Sequence, residues 1–118
     1  MKAEQHFQKA LRFEKTQSGL EPATDWESII ELGYMAAHHF LIAGADWRSG
    51  THPSTHAHGL NPKLLRDLNA SAEVQKAWSD FDVLRSGNVY GGRTNGAGSA
   101  QARLCLKIIK EWAEAAHP

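Results

Sequence analysis

The sequence predicts an all-α protein, an up-and-down bundle of four long helices and one short one, folded as a single domain over residues 1–118. Three observations carry that expectation. Apolar residues recur at three- and four-residue spacings in four long stretches, the period of a helix with one buried stripe. Polar loops bearing glycine and proline separate those stretches, and no segment shows the strict alternation of a strand. With 118 residues, 42% hydrophobic and 22% charged, the chain can bury one core without staples. A bundle is the economical way to hide several single stripes.

The first helix is expected from Ala3 to about residue 17, with Ala3, Phe7, Ala10 and Leu11 on one side and Gly19 placed to end it. Thr24-Asp25-Trp26-Glu27 reads as a capping box that opens the second helix, which runs to about residue 45. Its seam is Trp26, Ile30, Gly33, Ala37, Phe40 and Gly44, and the small members let another backbone come close. Residues 45–59 carry no apolar period and read as a loop. Asn61-Pro62 gives an N-cap and a proline at the first helical position of a short helix with Leu64, Leu65 and Leu68. Ser71 caps a fourth helix with Val74, Ala77, Trp78, Phe81 and Leu84 on one face, ending near Tyr90-Gly91-Gly92. After a glycine-rich loop, the last helix sets Ala102, Cys105, Ile109, Trp112 and Ala116 on a stripe. The small-residue seam of the second helix and the wide apolar face of the last are the two surfaces through which a homodimer is expected.

Thirteen basic and thirteen acidic residues cancel, so any contact with nucleic acid must be local rather than a general attraction to phosphate. Seven histidines add charge only at mildly acidic pH. The single cysteine, Cys105, excludes an internal disulfide and suits the cytoplasm, and its place on an apolar stripe suits an inert thiol. The N-terminal stretch has no apolar run, so neither a signal peptide nor membrane association is expected.

Chemistry concentrates in Phe81-Asp82-Val83-Leu84-Arg85-Ser86-Gly87-Asn88-Val89-Tyr90-Gly91-Gly92, where a cation, a carboxylate and an amide share neighbouring turns. Gly87 is unusual inside a helix. Glycine costs about 1 kcal/mol relative to alanine there, so either the helix breaks or something approaches its backbone closely. Arg85 can hold a phosphate bidentately, with Asn88 and the Tyr90 hydroxyl adding hydrogen bonds. Alternatively it pairs with Asp82, three residues earlier on the same face, and ties helices together.

Leu84-Arg85 through Asn88 and Tyr90-Gly91 resembles the motif of the HEPN family (higher eukaryote and prokaryote nucleotide-binding domains), a family of helical bundles. Gly33-Tyr34-Met35-Ala36-Ala37-His38-His39-Phe40-Leu41-Ile42-Ala43 is similar to its alanine- and aromatic-rich second helix. Thr55-His56-Ala57-His58-Gly59-Leu60 is similar to its threonine-histidine segment. The resemblance spans residues 26–92. It implies binding of a nucleotide or RNA, possession of a nucleotidyltransferase protein partner, and a place in toxin–antitoxin or phage-defence systems. It also implies metal-independent ribonuclease activity where a histidine follows the arginine by a little over one turn. Here Val89, Tyr90, Gly91 and Gly92 hold those positions, and the polar residue usual after the arginine is Ser86.

Catalysis would therefore need a histidine from elsewhere. His38 and His39 are adjacent on the second helix and point about 100° apart, so both cannot face the core. One of them reaching Arg85 across the bundle would act as general acid or base beside it. The bland alternative is a core-edge histidine bonded to a backbone carbonyl or to Tyr34. His52, His56 and His58 have no cysteine or carboxylate companions and read as solvated loop side chains, so no metal and no cofactor is expected. The glycine-rich loop lacks the lysine of a phosphate loop. Arg93 and the amides of residues 96–99 can still receive an anion at the last helix's start, or the loop is only a connector. Trp26, Trp78 and Trp112 read as core, and Trp47, set beside a loop, is the exception that could be exposed for stacking. A dimerisation or adaptor bundle without catalysis needs only the apolar stripes.

Overall fold

In the computed structural model, residues 2–50, 58–90 and 97–118 are described, the side chains at 58 and 88–90 excepted, and every regular element among them is a helix. Helix α1 spans Ala3–Ser18, α2 Trp26–Ser49, α3 Asn61–Asp67, α4 Ala72–Leu84 and α5 Ala97–Glu114. A 3₁₀ turn, His58–Leu60, leads into α3, and a π-helical segment, Arg85–Tyr90, prolongs α4. None of the described helices is long and apolar enough to cross a membrane.

The core gathers around α2, against which α1, α4 and α5 all pack. Its predicted seam is buried at Ile30, Gly33, Ala37, Phe40 and Gly44, while Trp26 is half-buried. The glycines are required by close approach. A Cβ on Gly44 would lie 2.7 Å from the Trp112 ring and 3.1 Å from the Ala113 backbone, and one on Gly33 would lie 2.5 Å from Gln17 Nε2 and 2.9 Å from Phe81 Cζ. Gly33 thereby leaves room for the buried Gln17, whose amide donates to the Ile29 carbonyl and fastens α1 to α2. Both surfaces expected to form a dimer are largely covered within the chain: the α2 seam in this way, and the α5 stripe by burial of Ala102, Cys105, Ile109 and Trp112.

Several boundaries differ from expectation, each because a tertiary or local partner outcompetes the predicted one. Gly19 ends α1 with φ −86°, so its left-handed freedom goes unused. The capping box at the start of α2 does not form: Asp25 is the N-cap, and its carboxylate turns back to accept from the Glu21 amide at 3.0 Å. The same helix continues past residue 45, because Trp47 finds apolar partners in the rings of Phe7 and His117 at 5.4 and 4.4 Å. It stops at Gly50, left-handed at φ 71°, whose amide closes on the Asp46 carbonyl. Asn61 is the first residue of α3 rather than its cap, since its side chain is buried against His38. The cap foreseen at Ser71 forms, its hydroxyl accepting from the Val74 amide at 3.3 Å.

Two basic side chains of α5 finish the α1 side. Arg103 donates to the Gln17 and Leu20 carbonyls at 3.1 and 3.0 Å, a cation placed at the negative end of α1. Lys110 pairs with Glu14 at 2.7 Å.

Candidate functional site

On α2, Glu31, Tyr34 and His38 stand at spacings of three and four, so they share one face. On α4 and its extension, Trp78, Asp82 and Arg85 do the same. The two rows meet in opposite order along their helices. Arg85 grips Glu31, Tyr34 donates its hydroxyl to Asp82 at 2.8 Å, and the His38 ring lies 6.4 Å from that of Trp78. Antiparallel α2 and α4 thus hold a polar seam at their solvent edge that runs into an aromatic floor.

Arg85 is the centre of it. Its Nε and terminal nitrogen donate to the two Glu31 oxygens at 2.9 and 3.0 Å, a fork-to-fork pair. The guanidinium carbon lies 4.5 Å over the Tyr34 ring, and the Trp78 ring lies 4.8 Å from that ring in turn. Arg85 and Glu31 keep 27% and 30% of their side-chain surface in solvent, so the pair is open to exchange. The pairing with Asp82 foreseen as the alternative is replaced: Asp82 is engaged by Tyr34, and the longer reach of Arg85 favours a carboxylate on the facing helix.

Tyr34 is almost wholly buried. Burial first, then the hydrogen bond and charge of Asp82, hold its phenol well above the ordinary tyrosine range, while Arg85 pulls the other way. At neutral pH it is therefore a proton donor to Asp82 and no base. The Cys105 thiol is pushed up to about 11, chiefly by burial, which removes the thiolate that reactivity needs.

The histidines are engaged in the interior. Asn61 Nδ2 donates to His38 Nδ1 at 2.9 Å, anchoring α3 to α2. His39 Nδ1 lies 2.8 Å from His6 Nδ1, and the two rings stack at 5.1 Å. His38 is buried and His39 only half so, as two neighbours pointing apart on one helix should be. The structure thus brings Arg85 together with Glu31, Tyr34 and Asp82, and sets His38 and His39 against Asn61 and His6. Among the described residues, no three of His, Cys, Asp and Glu gather as a metal site. The side chains of Asn88, Tyr90 and His58, and the whole of Arg93, His52 and His56, lie outside the described residues.

The π-helical segment explains Gly87. The helix leaves α-geometry at Arg85, and Gly87 sits within the wider turn. Beside it, Asp82, Val83, Ser86 and Gly87 line an open depression of about 570 Å³. Glu31 is the residue that sequence reasoning missed. Its signal was present in the three-and-four spacing of Glu31, Tyr34 and His38, which matches that of Trp78, Asp82 and Arg85. Set against known proteins, the chain matches no family model, no curated protein and no solved structure.

Proposed function

We propose that this chain is a HEPN-like, up-and-down bundle of four long helices and one short one that binds a phosphate-bearing ligand, a nucleotide or RNA, at Arg85. One observation carries the reading. The Arg85 fork is aligned on the paired oxygens of a carboxylate, is partly open to solvent, and lies over the Tyr34 ring, and phosphate offers a guanidinium the same two-oxygen geometry. The π-helical turn at the same residue adds support, because such turns are frequent at functional sites. Asn88, Tyr90 and Arg93 complete the ligand-binding set in this reading. A nucleotidyltransferase partner and a role in toxin–antitoxin or defence systems follow from the motif resemblance alone. A homodimer would use a surface other than the α2 seam, and Val83 and Leu104 are large apolar side chains left exposed.

Binding is favoured over cleavage. Metal-independent ribonuclease action with Arg85 needs His38 or His39 as its acid or base, and both rings are committed to Asn61 and His6. A second reading, a non-catalytic adaptor bundle, is favoured by the Arg85–Glu31 pair itself, since two helices are stitched by it.

The deciding experiment titrates ATP and a fluorescent single-stranded RNA into the wild type and Arg85→Ala, with thermal melting alongside. Binding that falls at least tenfold in Arg85→Ala while the fold persists is the expected result. Equal binding by both proteins, or binding by neither with only a change in Tm, overturns the proposal in favour of the adaptor.

A further inference from the structure

We infer that Glu31 is a built-in competitor for the phosphate, so that a ligand enters the Arg85 site by exchanging with this carboxylate. The inference rests on the phosphate-binding reading above and adds to it how that site is regulated.

Among the described residues, the Tyr34 ring and the Glu31 carboxylate hold the guanidinium from different directions. Tyr34 supports its face at 4.5 Å and is itself pinned through its hydroxyl to Asp82 and by the Trp78 ring beneath. Glu31 occupies its edge, taking Nε and one terminal nitrogen together. Phosphate needs the edge and leaves the face untouched. Removal of Glu31 from the fork therefore leaves Arg85 positioned on the ring, ready for a second pair of oxygens.

Glu31 is also free to go. Both its carboxylate oxygens are used on Arg85, and among the described residues no other hydrogen bond holds them. It is a long side chain on a helix surface, 30% exposed, and a swing about its own torsions returns the carboxylate to water. Asp82, by contrast, is retained by the Tyr34 hydroxyl and has no such freedom. With Glu31 in place, only the fraction of molecules with an open fork binds phosphate, and apparent affinity falls by that fraction.

The test compares inorganic phosphate binding to the wild type, Glu31→Gln, Glu31→Asp and Arg85→Ala, following the Arg85 Nε–H resonance by NMR. Glu31→Gln removes the charge that competes. Glu31→Asp keeps it on a stem too short for the two-point grip, which guards against a variant that fails to fold. Glu14→Gln, which breaks an ion pair of similar exposure on the far side of α2, is the control. Glu31→Gln is expected to tighten phosphate by about two- to fivefold, the population released when a partly exposed pair is opened, with Glu31→Asp between it and the wild type. The same gain is expected for adenosine 5′-monophosphate, and none for Glu14→Gln. If the wild type binds phosphate through Arg85 but neither Glu31 variant binds it more tightly, the exchange inference falls and the phosphate-binding reading stands. If no protein shows phosphate binding that depends on Arg85, both fall.

Discussion

Two arginines divide the molecule. Arg103, on α5, bonds two backbone carbonyls at the end of α1, groups that cannot move aside without unwinding the chain. Arg85, at the end of α4, bonds a side-chain carboxylate that can rotate away. Around the α5 contacts the packing is close, with Gly44 against Trp112 and no room for a methyl group. Around Arg85 the helix leaves α-geometry and an open depression adjoins it. The difference teaches how firmly a cation is tied into a fold. The identity of the acceptor and the regularity of the surrounding backbone decide it, while residue type and distance, nearly the same in both, do not.

The largest expected effect strikes the packed region. Gly44→Val puts two methyl groups where the Trp112 ring and the Ala113 backbone leave none, and should destabilise the fold by about 3 kcal/mol despite valine's better helix propensity. Chemical denaturation measures it, and a loss below about 1 kcal/mol would show that α5 shifts easily. Next comes the direct comparison. Arg103→Ala should cost about 2 kcal/mol, since two charged hydrogen bonds to helix-end carbonyls are lost. Arg85→Ala should cost about 1 kcal/mol or less, its pair being partly solvated. The reverse order would break the distinction between the two regions.

The smallest effect is silent at neutral pH. Tyr34 has a folded pKa raised above its unfolded value, so its contribution to stability is complete below about pH 10 and is lost as pH rises through the folded value. Of the chain's two tyrosines, one should therefore ionise late in an alkaline titration followed by tyrosinate absorbance. Tyr34→Phe should delete that late step, and an unchanged titration would mean the phenol is not buried against Asp82.

Much of the helical framework was legible because it depends on neighbours in sequence. The Ala3, Phe7 and Ala10 stripe, the Ser71 cap and the seam of Gly33 and Gly44 all follow from spacing and local chemistry. What was illegible depended on partners far along the chain. Asn61 had the sequence of an N-cap, yet its side chain is buried and donates to the His38 ring instead of accepting from first-turn amides. The capping box over residues 24–27 gave way to an N-cap at Asp25 whose carboxylate accepts from the Glu21 amide in the preceding turn. For Arg85 the local rule pointed to the wrong partner, Asp82 in place of Glu31. Asp82 is close in sequence, but the facing helix presents both a ring for the guanidinium's face and a carboxylate for its edge.

Arg103 has a consequence for how the molecule assembles. The Gln17 and Leu20 carbonyls gain the Arg103 guanidinium only when residue 103 arrives, more than eighty positions later in the chain. Lys110 closes on Glu14 across a similar separation. The first two helices can tie to each other through Gln17 and the Ile29 carbonyl, but their junction gains its clamp from α5 only when the final helix packs. Folding of this bundle should be one cooperative event that waits for its final helix, with the slow step set by that long-range closure.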